Sequence, residues 1–275
     1  MMNIKSTSIM NFAIKFYFIA FFLYLFLPLA VVSFAAFNDS SIPTIMPWNG
    51  FTMEWVYKFF NDSKLMYSIL NSVIIGCGVV LLAIPIGLAG ALLLLSLNSK
   101  SRHIFYAILV SPILTPGVII GIATLVMWNS VVDVSGGIFL TIIGQTTFIA
   151  SMAMLLFMSR LQKIDKNLEL AALDLGATPN QLFFKITIPF LKPAIYSSIA
   201  LAFLQSIQNY NTTLFLIGTD STITIHIGSM VKLGLTPVLN VLAFIIILMT
   251  IVLSTFYVIK KKKEKDENNT KSCRA

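Results

Sequence analysis

Residues 165–193 read DKNLELAALDLGATPNQLFFKITIPFLKP, and the rest of the chain is arranged around them. The stretch is too polar for a membrane interior and too patterned for a linker. Asp165 stands where a short side-chain oxygen can accept a free backbone N–H at a helix start. Leu168, Ala171, Ala172 and Leu175 then recur at helical spacing, with Lys166 and Glu169 off that stripe. Gly176 follows the last apolar position, where a left-handed residue closes a helix without a Cβ penalty. Thr178, Pro179 and Gln181 form a second start: a cap, a proline at the first helical position and a capping-box partner. Leu182, Phe183 and Ile186 continue an apolar face, and Pro189 is expected to end that helix. The spacing predicts two short amphipathic helices with a sharp joint. Pattern alone leaves open whether they dock on something or form a helical surface loop.

Composition places this element in a membrane protein. Of 275 residues, 57% are hydrophobic and 11% charged, against about 25% charged in soluble domains. The net charge of +8 is not a nucleic-acid footprint. Lys260 to Lys263 follow an apolar run, with Lys265, Lys271 and Arg274 beyond, which is a membrane-topology signal. No basic patch is interleaved with aromatics as single-stranded nucleic acid requires. Cys77 lies in an apolar run and Cys273 in the tail, and no Cys/His cluster points to a metal.

Six apolar runs are predicted to span, at about residues 12–37, 66–97, 104–128, 138–159, 193–217 and 238–259. The first is longer than the 7–15 residues of a signal-peptide core, despite the small residues near Ala35 and Ala36. The third holds Pro112 and Pro116, which free backbone groups in a span. Between the runs lie a turn-rich loop at 38–65 with Trp48 and Trp55, a basic link at 98–103, and a linker at 219–237. Residues 1–11 form a short N-terminus, 12–259 the transmembrane domain, and 260–275 a charged tail expected to be disordered.

An even number of spans puts both termini on one side. The N-terminal segment, 98–103, 160–192 and the tail hold nearly all the Lys and Arg residues. Lys58 and Lys64 fall opposite, and alternation of the spans would put Lys232 there too. The basic side is cytoplasmic, so the expected topology is N-in, C-in, with 165–189 facing the cytoplasm.

No Lys, Arg, Asp or Glu lies in the interior of the apolar runs, which disfavours an ion-coupled carrier. No GxxxxGK[ST] loop occurs, and no Ser/His/Asp or Cys/His set falls at membrane depth. Uncharged polar residues do fall there: Asn71-Ser72, Gln145-Thr146-Thr147, Gln205, and the run Gln208-Asn209-Tyr210-Asn211. Burying an amide in lipid without a partner costs roughly a few kcal/mol, so these face other helices or a wet path. Helix-to-helix hydrogen bonding accounts for some of them. Four consecutive polar or amphipathic residues exceed what one packing contact needs. Gln145, Gln208, Asn209, Tyr210 and Asn211 are the candidate solute-path residues.

The order Ala171-Ala172, Gly176, Ile186, Ile188-Pro189 resembles the EAA loop of bacterial ATP-binding-cassette importer permeases. Leu170 stands where that pattern has Glu, with Glu169 one place earlier, and Ile188 replaces Leu. Further stretches are similar to the smaller permease subunit of spermidine/putrescine importers. They are Gly50-Phe51-Thr52-Met53-Glu54-Trp55, Asn71-Ser72, Gly144-Gln145-Thr146-Thr147-Phe148, and Ser229 to Pro237 with Asn240. An acidic pair frequent in the polyamine branch is absent, and Gln208 to Asn211 occupy its place. The resemblance implies an all-α membrane protein of six transmembrane helices with the type I (MetI-like) importer permease fold, in the bacterial cell membrane. It implies that Glu169, Ala171, Ala172, Gly176, Ile186 and Pro189 couple to a separate P-loop ATPase, which uses the ATP. This chain itself would bind no cofactor. The implied partners are ATPase subunits, a second permease subunit, an extracytoplasmic solute-binding protein and the lipid bilayer. Transport would proceed by alternating access. An opine, an organic cation or chelated iron is an alternative cargo, and a membrane scaffold without transport is a further alternative.

Overall fold

The computed structural model describes residues 4–272, and all its regular elements there are helical. The chain divides into two compact units, the first made of residues 4–63 with 230–272 and the second at Lys64–Ser229. Among the described residues five helices are long and apolar enough to cross a membrane, and the number is six if one bent helix pair counts as a single span.

In the first unit, α1 (Ile4–Ala35) packs along α12 (Val238–Ser272). The loop after α1 turns on Asn38. Its amide donates to the carbonyls of Thr44 and Pro47, and its side-chain oxygen accepts from the Asn49 N–H. Trp55 on α2 (Glu54–Asn61) donates its indole N–H to the Asn38 carbonyl, and α2 packs on α12. Phe37 stacks on Phe51 and meets Phe244 edge-on. The expected disordered tail is a correction, because α12 runs on to Ser272. Lys and Glu dominate those residues and are good helix formers. Residues 273–275 and 1–3 lie outside the described residues.

In the second unit, α3 (Ser63–Ser96), α6 (Ile138–Leu161) and α9 (Ile188–Ile207) form the core. Ile75, Val79 and Ala83 of α3 meet Ile149 and Ala150 of α6 and Ala202 of α9. Further along, Ala91 and Leu94 pack with Met154, Phe157, Leu161 and Leu191. Burying such side chains stabilises by roughly 1.5–3 kcal/mol each in water, but between lipid-solvated helices packing contributes most.

The expected third span is two helices, α4 (Ser99–Leu114) and α5 (Gly117–Val132), bent by 103°. Pro116 is the cause. The residue before a proline is pushed out of the α region, and Thr115 has ψ 129°. The freed groups are satisfied locally. Thr115 N–H and Oγ1 both donate to the Ser111 carbonyl, and Ile119 and Ile120 N–H donate to that of Pro116. The expected linker after span five also differs, because α11 (Ile223–Leu233) occupies much of it. Its Ile223, Ile225 and Ile227 alternate with polar residues, which reads as strand rather than helix by period.

Candidate functional site

The 165–189 segment is built as its residues dictate. Asp165 caps α7 (Lys166–Asp174), its carboxylate accepting from the Asn167 N–H at 2.9 Å. Gly176 has φ +83°, in the left-handed region. Gly176 N–H donates to the Leu173 carbonyl and Ala177 N–H to that of Ala172, at 2.9 and 3.0 Å. These two bonds make a Schellman motif, which satisfies the free carbonyls of a helix end. A Cβ on Gly176 would meet nothing within 4 Å, so backbone conformation and not space demands glycine here. Thr178 and Gln181 form the capping box that opens α8 (Pro179–Leu182), with Pro179 at the first position.

Pro189 does not end the helix, which corrects the sequence expectation. A π-helical turn at Phe183–Thr187 follows α8 and leads straight into α9. The wider turn changes the ladder just before the residue that cannot donate to it, Ile188 N–H reaching back to the Phe183 carbonyl. Pro179–Ile207 is therefore one apolar helical run of 29 residues, about 43 Å at 1.5 Å per residue. Gly176 is a joint, and Pro189 lies inside a rod.

Apolar side chains of this segment face outward. Leu168, Leu170, Leu173 and Phe184 are exposed, and Leu175 is 89% exposed. Ala171 is exposed too, while Ala172, Glu169 and Ile186 are half-buried. Glu169 lines a cleft of about 540 Å³ where Arg102, Ser96, Gln162 and Thr187 are set among leucines, Ile164 and Phe183. Arg102 closes the end of α3, donating to the carbonyls of Leu94, Leu95 and Leu97 at 2.8, 3.0 and 3.2 Å. A cation there complements the helix dipole. Arg160 lies over the Phe190 ring at 4.4 Å from its centroid. Basic residues and the two-helix segment thus share one end of this unit.

At the other end of the rod, the polar run is not within a span helix, which is a second correction. Gln208 is the C-cap of α9, and Asn209 to Thr212 form a break before α10 (Thr213–Leu216). Asn209 Oδ1 accepts from the Thr212 N–H at 3.2 Å, a turn typical of Asn. A Cβ on Gly121 of α5 would come within 2.9 Å of the Thr212 carbonyl oxygen, so the break sits hard against α5.

The five candidate path residues fall into two groups. Gln145 is 1% exposed and fully engaged. Its amide donates to Thr213 Oγ1 at 2.8 Å and its oxygen accepts from Ser206 Oγ at 2.5 Å. Thr213 Oγ1 in turn donates to the Asn209 carbonyl. Gln145 therefore fixes the break from behind, joining α6, α9 and α10. Gln208 and Asn211 are exposed, and Asn209 and Tyr210 are half-buried. Gln208 donates to Gln205 Oε1 at 2.8 Å. Sequence reasoning missed Ser206 and Thr213. Lone hydroxyls are common in apolar helices and usually bond their own backbone, so neither stands out. Asn71 and Ser72 hold the segment before α11, Asn71 donating to the Ser221 carbonyl and Ser72 Oγ accepting from the Ile223 N–H.

The arrangement has known counterparts. Residues 83–264 match the family described as the binding-protein-dependent transport system inner membrane component. The putrescine transport system permease protein PotI of Escherichia coli K12 is 29% identical over 233 residues, covering 82% of each chain. The spermidine/putrescine transport system permease protein PotC of Haemophilus influenzae is 28% identical over 229 residues, covering 83% of this chain and 88% of that protein. Among solved structures, a bacterial ABC transporter involved in import of the acidic polysaccharide alginate aligns with TM-score 0.70 at 15% identity. That alignment covers 95% of this chain and 99% of the other. The MetNI methionine ABC transporter aligns with TM-score 0.57 at 16% identity, covering 75% and 95%.

Proposed function

Because this chain belongs to the family of binding-protein-dependent transport system inner membrane components, we propose that it is the permease of an ATP-driven importer, carrying spermidine, putrescine or a related small organic solute. The observation that carries the coupling half of this reading is the continuous helix Pro179–Ile207. One end of it leaves a capped, two-helix segment whose leucines are exposed. Its other end stops at the polar break. A separate ATPase that grips residues 165–189 would displace the near end, and a helix delivers that displacement to Gln208–Asn211 without a joint between. Gly176 sets the angle between the docked helix and the rod. Glu169, Ala171, Ala172, Ile186 and Pro189 shape the docked segment.

The expected N-in, C-in topology fits this scheme. Arg102, Arg160 and Lys163 lie at the end of the unit that carries 165–189, on the side where ATP is. The partners under this reading are ATPase subunits, a second permease subunit, a solute-binding protein outside the membrane and the bilayer. ATP is used by the ATPase, and this chain carries out no chemistry of its own.

The solute assignment rests on the polyamine permeases named above, since the same fold serves alginate and methionine transporters. Gln208, Asn209, Tyr210 and Asn211 offer amide oxygens and an aromatic face, both of which attract an ammonium group. They supply no carboxylate, so they would pass a cation without holding it tightly. The test is purification from native membranes in mild detergent with an ATPase assay. Co-purification of a P-loop ATPase, and activity that rises with a binding protein plus polyamine, is the expected result. A complex that polyamines leave unstimulated would redirect the solute search to opines, other organic cations and chelated iron. A chain that purifies alone would overturn the importer reading.

A further inference from the structure

The polar break at Asn209–Thr212 is bordered by α5, α6 and α11, and it meets them in different ways. Against α5 the contact is close and involves backbone. A Cβ on Gly117 would lie 3.0 Å from Thr212 Oγ1 and 3.3 Å from the Asn211 Cβ, and one on Gly121 would lie 2.9 Å from the Thr212 carbonyl oxygen. These two glycines are four residues apart and share a face of α5, so the break rests directly on that helix. Against α6 the contact is the buried Gln145 amide, bonded to Thr213 and Ser206. Neither contact parts without moving backbone or breaking buried hydrogen bonds.

The contact with α11 is of another kind. A Cβ on Gly228 would lie 2.7 Å from Tyr210 Cε2 and 3.2 Å from its Cζ and Oη. The end of the ring thus occupies the space that any larger residue at 228 would fill. A ring end moves by rotation about its own side-chain bonds. The Tyr210 backbone meanwhile stays tied to α10, its carbonyl accepting from the Leu214 N–H at 2.9 Å. α11 is fixed at its start. Ser72 Oγ accepts from the Ile223 N–H at 2.9 Å, Asn71 donates to the Ser221 carbonyl at 3.0 Å, and Ile225 packs on the core formed by α3, α6 and α9. Of these contacts of the break, the ring on Gly228 is the one that can part while every listed bond survives.

We propose, on the importer reading above, that the solute path opens between the break and α11, with Tyr210 seated on Gly228 as its shut state. Displacement of the rod Pro179–Ile207 lifts the ring from the glycine, and α11 is the wall that stays behind. Gly228 is then a positioning residue that acts through Tyr210. The group that bars the path is also the one whose aromatic face attracts an ammonium ion, so unseating the ring presents that face to the cargo.

The test uses the assembled complex in proteoliposomes with its solute-binding protein and ATP. Tyr210→Cys and Gly228→Cys are introduced together in a chain that also carries Cys77→Ser and Cys273→Ser. A thiosulfonate tether about as long as a tyrosine side chain then joins them. Tethering should stop uptake, and reduction should restore it, while either single cysteine treated alike keeps its own rate. Undiminished uptake by the tethered pair would overturn the proposal. A second measurement decides if the cysteine pair is inactive before treatment. Gly228→Ala, which pushes the ring off its seat, should raise ATP hydrolysis in the absence of solute several-fold without lowering the thermal midpoint of the complex. Tyr210→Ala should do the same, and the double variant should match either single one, because each removes the same contact. Additive effects, or a lowered midpoint with hydrolysis unchanged, would overturn the proposal. The wild type run alongside separates the two readings. If it imports nothing, the importer reading falls and this one with it; if it imports and the tethered pair does too, the assignment of α11 alone falls.

Discussion

Residues 165–178 and residues 208–213 lie towards opposite ends of one long helix, and they are made in opposite ways. The first is local. Asp165, the Gly176 closure and the Thr178–Gln181 box are satisfied within a few residues of themselves. Its leucines are turned outward. The second is made by distant residues. Its shape depends on Gln145, more than sixty positions earlier, holding Ser206 and Thr213 from behind. A locally closed segment can be gripped and moved as a body. A segment pinned from another helix shifts only when that helix shifts. Under the proposed function, the first region is the one that transmits and the second the surface that gates.

Four substitutions probe this contrast, taken from the largest effect down. Gly176→Asp places a side chain where φ is +83°, a conformation that costs an L-residue about 1–2 kcal/mol. It also sets a carboxylate on the outward face. ATP-coupled uptake should be abolished while membrane insertion, followed by protease protection, stays intact. Normal uptake would erase the distinction between the two regions. Gln145→Leu should act through stability instead. It leaves the buried Ser206 hydroxyl without its acceptor and Thr213 Oγ1 without its donor, and should cost about 1–2 kcal/mol, read as a lower thermal midpoint of the purified complex. Asn211→Ala, exposed in the same break, should leave that midpoint unchanged and alter only uptake. If both lower the midpoint equally, the division into buried brace and open surface fails. Thr178→Ala removes a cap worth about 1 kcal/mol, so uptake should fall several-fold and Thr178→Ser should restore most of it. A loss of uptake that Thr178→Ser does not restore would point to a direct contact of the methyl group and not to capping.

The same contrast explains what the sequence disclosed. Caps, the glycine closure and the apolar runs were legible because each signal and its partner sit within one or two helical turns. Most spans followed from hydropathy alone. Pro189 misled because proline in isolation predicts a stop, and only the π turn at Phe183–Thr187 shows how the helix absorbs it. Pro116 did break its helix, yet hydropathy read across the bend because both arms are apolar. The break at Asn209–Thr212 was invisible as a break, since what fixes it is the Gln145 amide on another helix. Gln145 was legible as a polar residue in a span, but whether it faces solute or holds structure depends on Ser206 and Thr213, which carry no pattern of their own.

The central claim is that residues 165–189 dock on an ATPase while the polar break does not. It is tested most directly by placing a photo-crosslinking amino acid at position 175, the most exposed leucine of α7's C-terminal turn, or at position 211, in the complex in native membranes. The account predicts a covalent adduct between position 175 and a P-loop ATPase subunit, and none from position 211. An assembled complex that contains the ATPase but gives no adduct at 175, or gives the same adduct from 211, would contradict it.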